Sequence, residues 1–343
     1  MKKNVFLAIV GLAGLLGLVN SSSADPVADF YHGKTVFLQI GSGTGGAYDI
    51  VGRAVARYIG KHIPGNPTVV PQNVPGGGSL PLANQFGNTT PRDGTYFGVF
   101  NDGMPMTPLL SPTAAHFDPR QFHFIGSPFR EAELLVVWHT APVKTLADVF
   151  TKELIVGATS PGAAPYDFPL LTNALLGTKN KIVTGYQSTS DTKLAMERGE
   201  VQGIAGLSYN SSKTSYAELI ASKQLNIIAT YGMTKFPALE DFPLFPLGDT
   251  EEDHQIFQLL YARESYGMPF ATPPGVPAER VAALQAAFEA AMRDPDFLAD
   301  AKKLNVDIDP VRAAELTDLT NKLFETPPAV VARTQQLLAS SPR

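Results

Sequence analysis

Gly41-Ser-Gly-Thr-Gly-Gly46 is the stretch whose residue types and spacing bear most directly on chemistry. It follows the apolar run Thr35–Ile40 and opens a segment of helical periodicity. Its peptide N–H groups therefore stand at a helix start, where they are unpaired, partly positive and attract anions. Glycines there leave no side chain between backbone and ligand. The spacing satisfies G-x-G-x-x-G, but a dinucleotide site asks for an acid about 20 residues on to hold a ribose hydroxyl. No Asp or Glu occurs between Asp49 and Asp93. No Lys-Ser or Lys-Thr follows the glycines, which excludes a Walker-type phosphate loop. Asp49 lies in the first turn of the helix, where a carboxylate caps backbone N–H groups as readily as it meets a ligand.

Three further loops share this character. Pro75-Gly-Gly-Gly-Ser79 lies between the short strand Thr68-Val69-Val70 and a predicted helix. Thr159-Ser-Pro-Gly-Ala163 and Thr184-Gly-Tyr-Gln-Ser188 follow strands near the middle of the chain. Polar, glycine-bearing loops after consecutive strands converge at the carboxyl edge of an open α/β sheet, where ligands bind. Enzyme constellations are weaker. The six histidines show no H-E-x-x-H and no close pairing, so a zinc site is not expected. Gly206-Leu-Ser208-Tyr-Asn210 lacks the second glycine of a nucleophile elbow, and Asp249-Thr-Glu-Glu-Asp253 lacks calcium-loop spacing.

Elements that would position these loops follow from periodicity. Thr35–Ile40, Thr95–Phe100, Leu134–Trp138, Leu154–Ala158 and Leu225–Ala229 read as strands. A helix is predicted from about Ala47 to His62, because Ile50, Val51, Ala54, Val55, Tyr58 and Ile59 recur at helical spacing. Three strand–loop–helix units in the first hundred residues predict a parallel sheet with right-handed crossovers. The last quarter is helical, over Ala278–Met292, Asp296–Leu304, Ala313–Phe324 and Ala329–Leu338.

With 343 residues, 44% hydrophobic and 17% charged, the chain has length for two domains and a composition unlike that of disordered segments. A formal charge of −5 offers no basic stripe for nucleic acid. The absence of cysteine excludes disulfides, thiolate catalysis and Cys-ligated metal. Lys2 and Lys3, the apolar run Val5–Val19 and the small residues Ser22 and Ala24 form an export signal cut after Ala24. Fifteen apolar residues fall short of the ~20 that a spanning helix needs. The mature protein is thus expected free in the periplasm.

The order of motifs resembles a family. The export signal is followed by a strand and by Gly45-Gly46-Ala-Tyr-Asp49 opening a helix with Arg53 and Ala54. Then come Val69-Val-Pro-Gln-Asn73-Val-Pro-Gly76-Gly-Gly, Pro91-Arg-Asp93-Gly94-Thr95, Phe117-Asp118-Pro119, Ser160-Pro161-Gly162, Gly199-Glu-Val201, Leu239-Glu-Asp-Phe-Pro243 and Ala271-Thr-Pro-Pro-Gly275-Val-Pro277. This resembles the Bug (TctC-like) solute-binding receptors of tripartite tricarboxylate transporters, as a divergent branch. Thr44 stands where the family often has proline, and Val183-Thr184-Gly185-Tyr186 replaces its usual Val-Pro-Tyr. The resemblance implies a two-lobed periplasmic binding protein of type II, each lobe a mainly parallel sheet flanked by helices. Lobe 1 would comprise 25–129 and 233–343, and lobe 2 would comprise 130–232. It implies no cofactor, no catalysis and a monomer that holds a small mono- or dicarboxylate in the interlobe cleft and delivers it to membrane transporter subunits. Carried over position by position, it assigns the ligand to Gly43, Thr44, Gly45, Gly46, Ala47, Tyr48 and Asp49, and to Asn73, Gly76, Gly77, Gly78, Ser79 and Asn101 in the first lobe. In the second it assigns Ser160, Gly162, Ala163, Tyr186 and Ser188. Two other readings stay open at this point: an exported hydrolase using Ser160 or Ser208, and a sensor presenting its ligand to a signalling kinase.

Overall fold

The computed structural model describes residues 25–339; the export signal expected from the sequence lies outside the described residues. Two sheets organise the chain. The first contains β1 (Thr35–Ile40), β2 (Thr68–Asn73), β3 (Tyr96–Val99), β4 (His123–Ser127), β10 (Phe270–Thr272) and β11 (Val311–Arg312), in the order β11-β4-β10-β3-β1-β2. The second contains β5 (Glu133–Trp138), β6 (Leu154–Gly157), β7 (Asn180–Val183), β8 (Gly203–Ser208) and β9 (Leu225–Thr230), in the order β7-β6-β8-β5-β9.

Both sheets are mixed. β1 is parallel to β2 and β3, while β10 runs antiparallel between β3 and β4. β6 is parallel to β7 and β8, while β5 runs antiparallel between β8 and β9. β5 in the second sheet and β10 in the first are the strands the chain enters on crossing from the other sheet; both are reversed, as is the two-residue edge strand β11, and both crossovers lie side by side. The Glu131 N–H donates to the Glu264 carbonyl (2.9 Å) and the Met268 N–H to Ser127 Oγ (2.9 Å). The result is a two-lobed α/β fold.

Burial explains the elements. In β5 every residue from Leu134 to Val137 is buried, as a strand covered on both faces requires. Leu134 and Val136 face one apolar cluster, Leu135 and Val137 the other. The helix Ala47–Ile59 turns Val51, Ala54, Val55 and Ile59 into the core under β1 and β3, the stripe expected at three- and four-residue spacing. It ends three residues before the predicted stop, continuing as a 3-10 turn over Gly60–His62. β2 runs past the predicted Val70 to Asn73 through Pro71. It tolerates this because β2 is an edge strand, and an edge residue without an N–H leaves no ladder bond unmade. Two helices distant in sequence from the second sheet, Glu251–Tyr261 and Pro328–Ala339, bury Ile256, Phe257, Leu260, Val330 and Leu337 against its core.

Candidate functional site

A cavity of about 230 Å³ lies between the lobes. The first lobe lines it with the loops after β1, β2 and β3, and the second with β5 and the loops after β6, β7 and β8. This is space for a small molecule.

Two 13-residue helices begin at its wall, Ala47–Ile59 from the first lobe and Ala164–Leu176 from the second. Their caps, Gly46 and Ala163, supply no side-chain bond to the first turn. Both helix starts therefore present partial positive charge to one space.

Acids brace the loops from behind. Asp49 Oδ2 accepts the Gly45 N–H (3.0 Å), and Asp49 Oδ1 accepts Arg53 Nε (2.7 Å) and Asn73 Nδ2 (2.9 Å). Asn73 Nδ2 also donates to the Ser42 carbonyl (3.0 Å), tying the first loop to β2. In the second lobe Asp167 Oδ1 accepts the Gly162 N–H (3.1 Å), and Asp167 Oδ2 accepts Arg263 Nη2 (2.8 Å). Burial pushes the Asp167 carboxyl upward, and the Arg263 charge opposes that shift. Asp191 repeats the pattern, accepting the N–H groups of Gln187 (3.1 Å) and Ser188 (3.0 Å) in a capping box. Ser79 Oγ donates to the Gly41 carbonyl (2.9 Å) and accepts the Asn101 N–H (2.7 Å), which joins all three first-lobe loops.

Of the residues assigned from sequence, Gly46, Ala47, Tyr48, Gly76, Gly77, Gly78, Asn101, Ser160, Ala163, Tyr186 and Ser188 line the cavity. Asp49, Asn73 and Ser79 sit behind it as braces. Gly43, Thr44, Gly45 and Gly162 are not among its lining residues either. Gly43 and Gly162 lie where the lobes meet. A Cβ on Gly43 would stand 3.2 Å from the Gln187 carbonyl oxygen, and one on Gly78 would stand 2.9 Å from the Gly162 carbonyl carbon.

Sequence reasoning missed the acids Asp102 and Glu133, which line the cavity and are 1% and 3% exposed. It also missed Ser42, Thr159, Gln187 and Ser211. Asp102 directly follows Asn101, which was assigned, and Glu133 heads a strand otherwise made of Leu, Val and Trp. An acid opening such a run was the available signal. Burial pushes both carboxyls upward. Ser208 Oγ donates to Ser211 Oγ (2.9 Å) and accepts its N–H. Among the described residues no hydrogen bond links Ser160 or Ser208 to a histidine, aspartate or glutamate, the base that a serine nucleophile requires.

No family profile and no curated protein matches the sequence. Solved structures do. The periplasmic binding protein BugD is 18% identical, with a TM-score of 0.67 over 89% of this chain and 97% of its own. MatC from Rhodopseudomonas palustris, solved with bound malate, is 18% identical, with a TM-score of 0.66 over 89% of this chain and 99% of its own. An R. palustris protein solved with adipate is 20% identical, with a TM-score of 0.67 over 88% of this chain and 97% of its own. The chain thus shares its two-lobed α/β fold with periplasmic binding proteins of the Bug and TctC type.

Proposed function

We propose that the protein is a periplasmic receptor that captures a small carboxylate between its lobes and hands it to a tripartite tricarboxylate-type transporter. The observation that carries this reading is the pair of helix starts, one from each lobe, at a single cavity. A carboxylate accepting backbone N–H bonds there gains about 1.5–3 kcal/mol per bond. Because the donors come from both lobes, the ligand favours the arrangement in which the lobes meet, and it shifts the population toward that form. A transporter that docks on the closed form then reads occupancy. The lobe division is 25–129 with 233–343 against 130–232, with the helices Glu251–Tyr261 and Pro328–Ala339 packed across it. The malate- and adipate-bound neighbours support the carboxylate class. Among the described residues no helix is long and apolar enough to cross a membrane, so in this reading the channel is a separate protein.

The test is a thermal-shift screen of the purified protein against organic acids, sugars and cations. Stabilisation confined to carboxylates is expected. Stabilisation by a sugar or a cation, with no carboxylate effective, overturns the ligand class.

A further inference from the structure

A second cavity, of about 400 Å³, opens where the chain crosses between the lobes. Phe129 to Ala132 of the outward crossover and Glu264-Ser265 of the returning one form part of its wall, and Tyr209 and Asn210, after β8, form another part. It shares no lining residue with the interlobe cavity. Four of its lining residues are acids and two are bases. Both bases are engaged: Arg130 Nη2 pairs with Glu315 (2.6 Å), and Lys235 Nζ donates to the Glu240 carbonyl (2.6 Å). Of the acids, Asp307 pairs with Lys213, and Glu131 accepts the N–H groups of Ala132 and Asn210 and a bond from Asn210 Nδ2. Glu264 and Asp309 remain. Among the described residues no group donates a hydrogen bond to either carboxyl, and Glu264 Oε1 is buried. Arg263 faces Glu264 but is bonded to Asp167. Gly232, where a Cβ would stand 3.0 Å from Glu264 Oε2, leaves space beside that carboxyl. Asn210, 3% exposed, adds a buried Oδ1 that also lacks a donor.

This wall offers acceptors and lacks donors. Tyr209 and Phe236, whose ring centres are 5.6 Å apart, add aromatic faces that attract cations. The chain's own Lys213 shows the chemistry: its ammonium group pairs with Asp307 and lies 5.2 Å from the centre of the Tyr209 ring. We infer that this cavity is a second ligand site, taking a small organic cation with N–H donors, an alkylammonium or an alkylguanidinium, whose charged group binds Glu264 and Asn210 Oδ1. An ammonium group brings three donors and a guanidinium up to five, to acceptors whose burial without partners is costly. Burial and the charges of Asp102 and Glu131 push the Glu264 carboxyl up, so the guest cation takes the place of a proton there. An anion would set its charge against these acids. A metal ion is a poor match, because among the described residues no group of three or more His, Cys, Asp or Glu side chains could hold one. A guest in contact with both crossovers binds one arrangement of the lobes better than another and so shifts their balance.

Calorimetric titration of the purified protein tests this with n-butylamine and n-butylguanidine, beside n-butanol, which lacks the charge, and tetramethylammonium, which lacks the donors. At least one of the two donor cations is expected to bind about tenfold or more tighter than both controls, the worth of one hydrogen bond between charged groups. Glu264→Gln keeps side-chain shape and should lower that affinity by about tenfold or more. Asp309→Asn, at an exposed position of the wall, is the second variant and should lower it about two- to fivefold. Failure of both donor cations to bind, equal binding of either control, or an affinity unchanged in both variants overturns the inference and leaves the carboxylate reading standing.

Discussion

Asp167 and Arg263 are joined at 2.8 Å with both side chains fully buried, linking the helix behind the second-lobe loop to the crossover that returns to the first sheet. The guanidinium also lies 5.2 Å from the centre of the Phe168 ring. Removing Asp167 takes away the bonded partner of Arg263 and leaves that charge facing Asp102 and Glu133, at a cost of up to about 3–5 kcal/mol, whereas replacing both partners with apolar groups of like volume is less costly. Asp167→Ala should therefore lose about that much stability in urea unfolding. The Asp167→Leu, Arg263→Met pair should recover most of it; a double variant as unstable as the single one contradicts this account.

Gly78 has φ of +57° and faces Gly162 across the lobe contact. A Cβ there meets backbone, which cannot swing away as a side chain would. Gly78→Ala should thus hinder the approach of the lobes at a cost of about 1–3 kcal/mol. That corresponds to roughly a 5- to 150-fold loss of ligand affinity by calorimetry. An affinity equal to that of the wild type would show that the lobes need not meet at this point.

Asp49 carries three donors from separate elements. Asp49→Ala removes the partner of the exposed Gly45 N–H, one of the two bonds made by the half-buried Asn73 Nδ2, and the partner of Arg53, at about 0.5–1.5 kcal/mol for each bond lost. A melting-temperature drop of several degrees is expected, since each kcal/mol moves a protein of this size by about 2–4 °C. An unchanged melting temperature would mean that the loop is held by other bonds.

Stability should depend on pH with a definite sign. Burial raises Glu131 to about 7, and it also raises Asp102, Glu133 and Glu264, which face it and one another beside Arg263. Between the ordinary carboxyl range and about pH 7 the folded state holds more protons than the unfolded one. Stability is then full at the low end of this window and is lost as pH rises through it. Asp294 acts outside the window: Lys61 and His62 outweigh its burial and hold it below the ordinary range, so its contribution is lost only in stronger acid. Chemical denaturation should therefore give a larger unfolding free energy at pH 5 than at pH 7.5, with a smaller difference in Glu131→Gln. A free energy that rises from pH 5 to 7.5 would contradict the burial of these acids.

The helix at Ala47 and strands such as Thr35–Ile40 were legible because their apolar residues recur with a single period that tertiary packing then uses. Strand direction was not. β5, β10 and β11 run against the other strands of their sheets, and nothing in Leu134–Val137 encodes the direction of β5. β10 and β11, with three and two residues, are too short to show a period. The glycine loops were legible as a set, since Gly46, Gly77 and Ala163 do meet at one cavity. Asp49 fits the capping side of the alternative its position left open: it braces Gly45 and lies outside the cavity lining. Asp102 and Glu133 were missed because a carboxyl's burial depends on what the opposite lobe brings to it, which no local pattern records.

The central claim, that two helix starts grip one carboxylate, is tested most directly by the backbone amide resonances of Ala47 and Ala164 during titration with the acid selected by thermal shift. Both signals should move together and saturate at the same concentration. If neither moves while saturable changes appear elsewhere, or if only one lobe responds, the carboxylate does not bridge the lobes and the account is wrong.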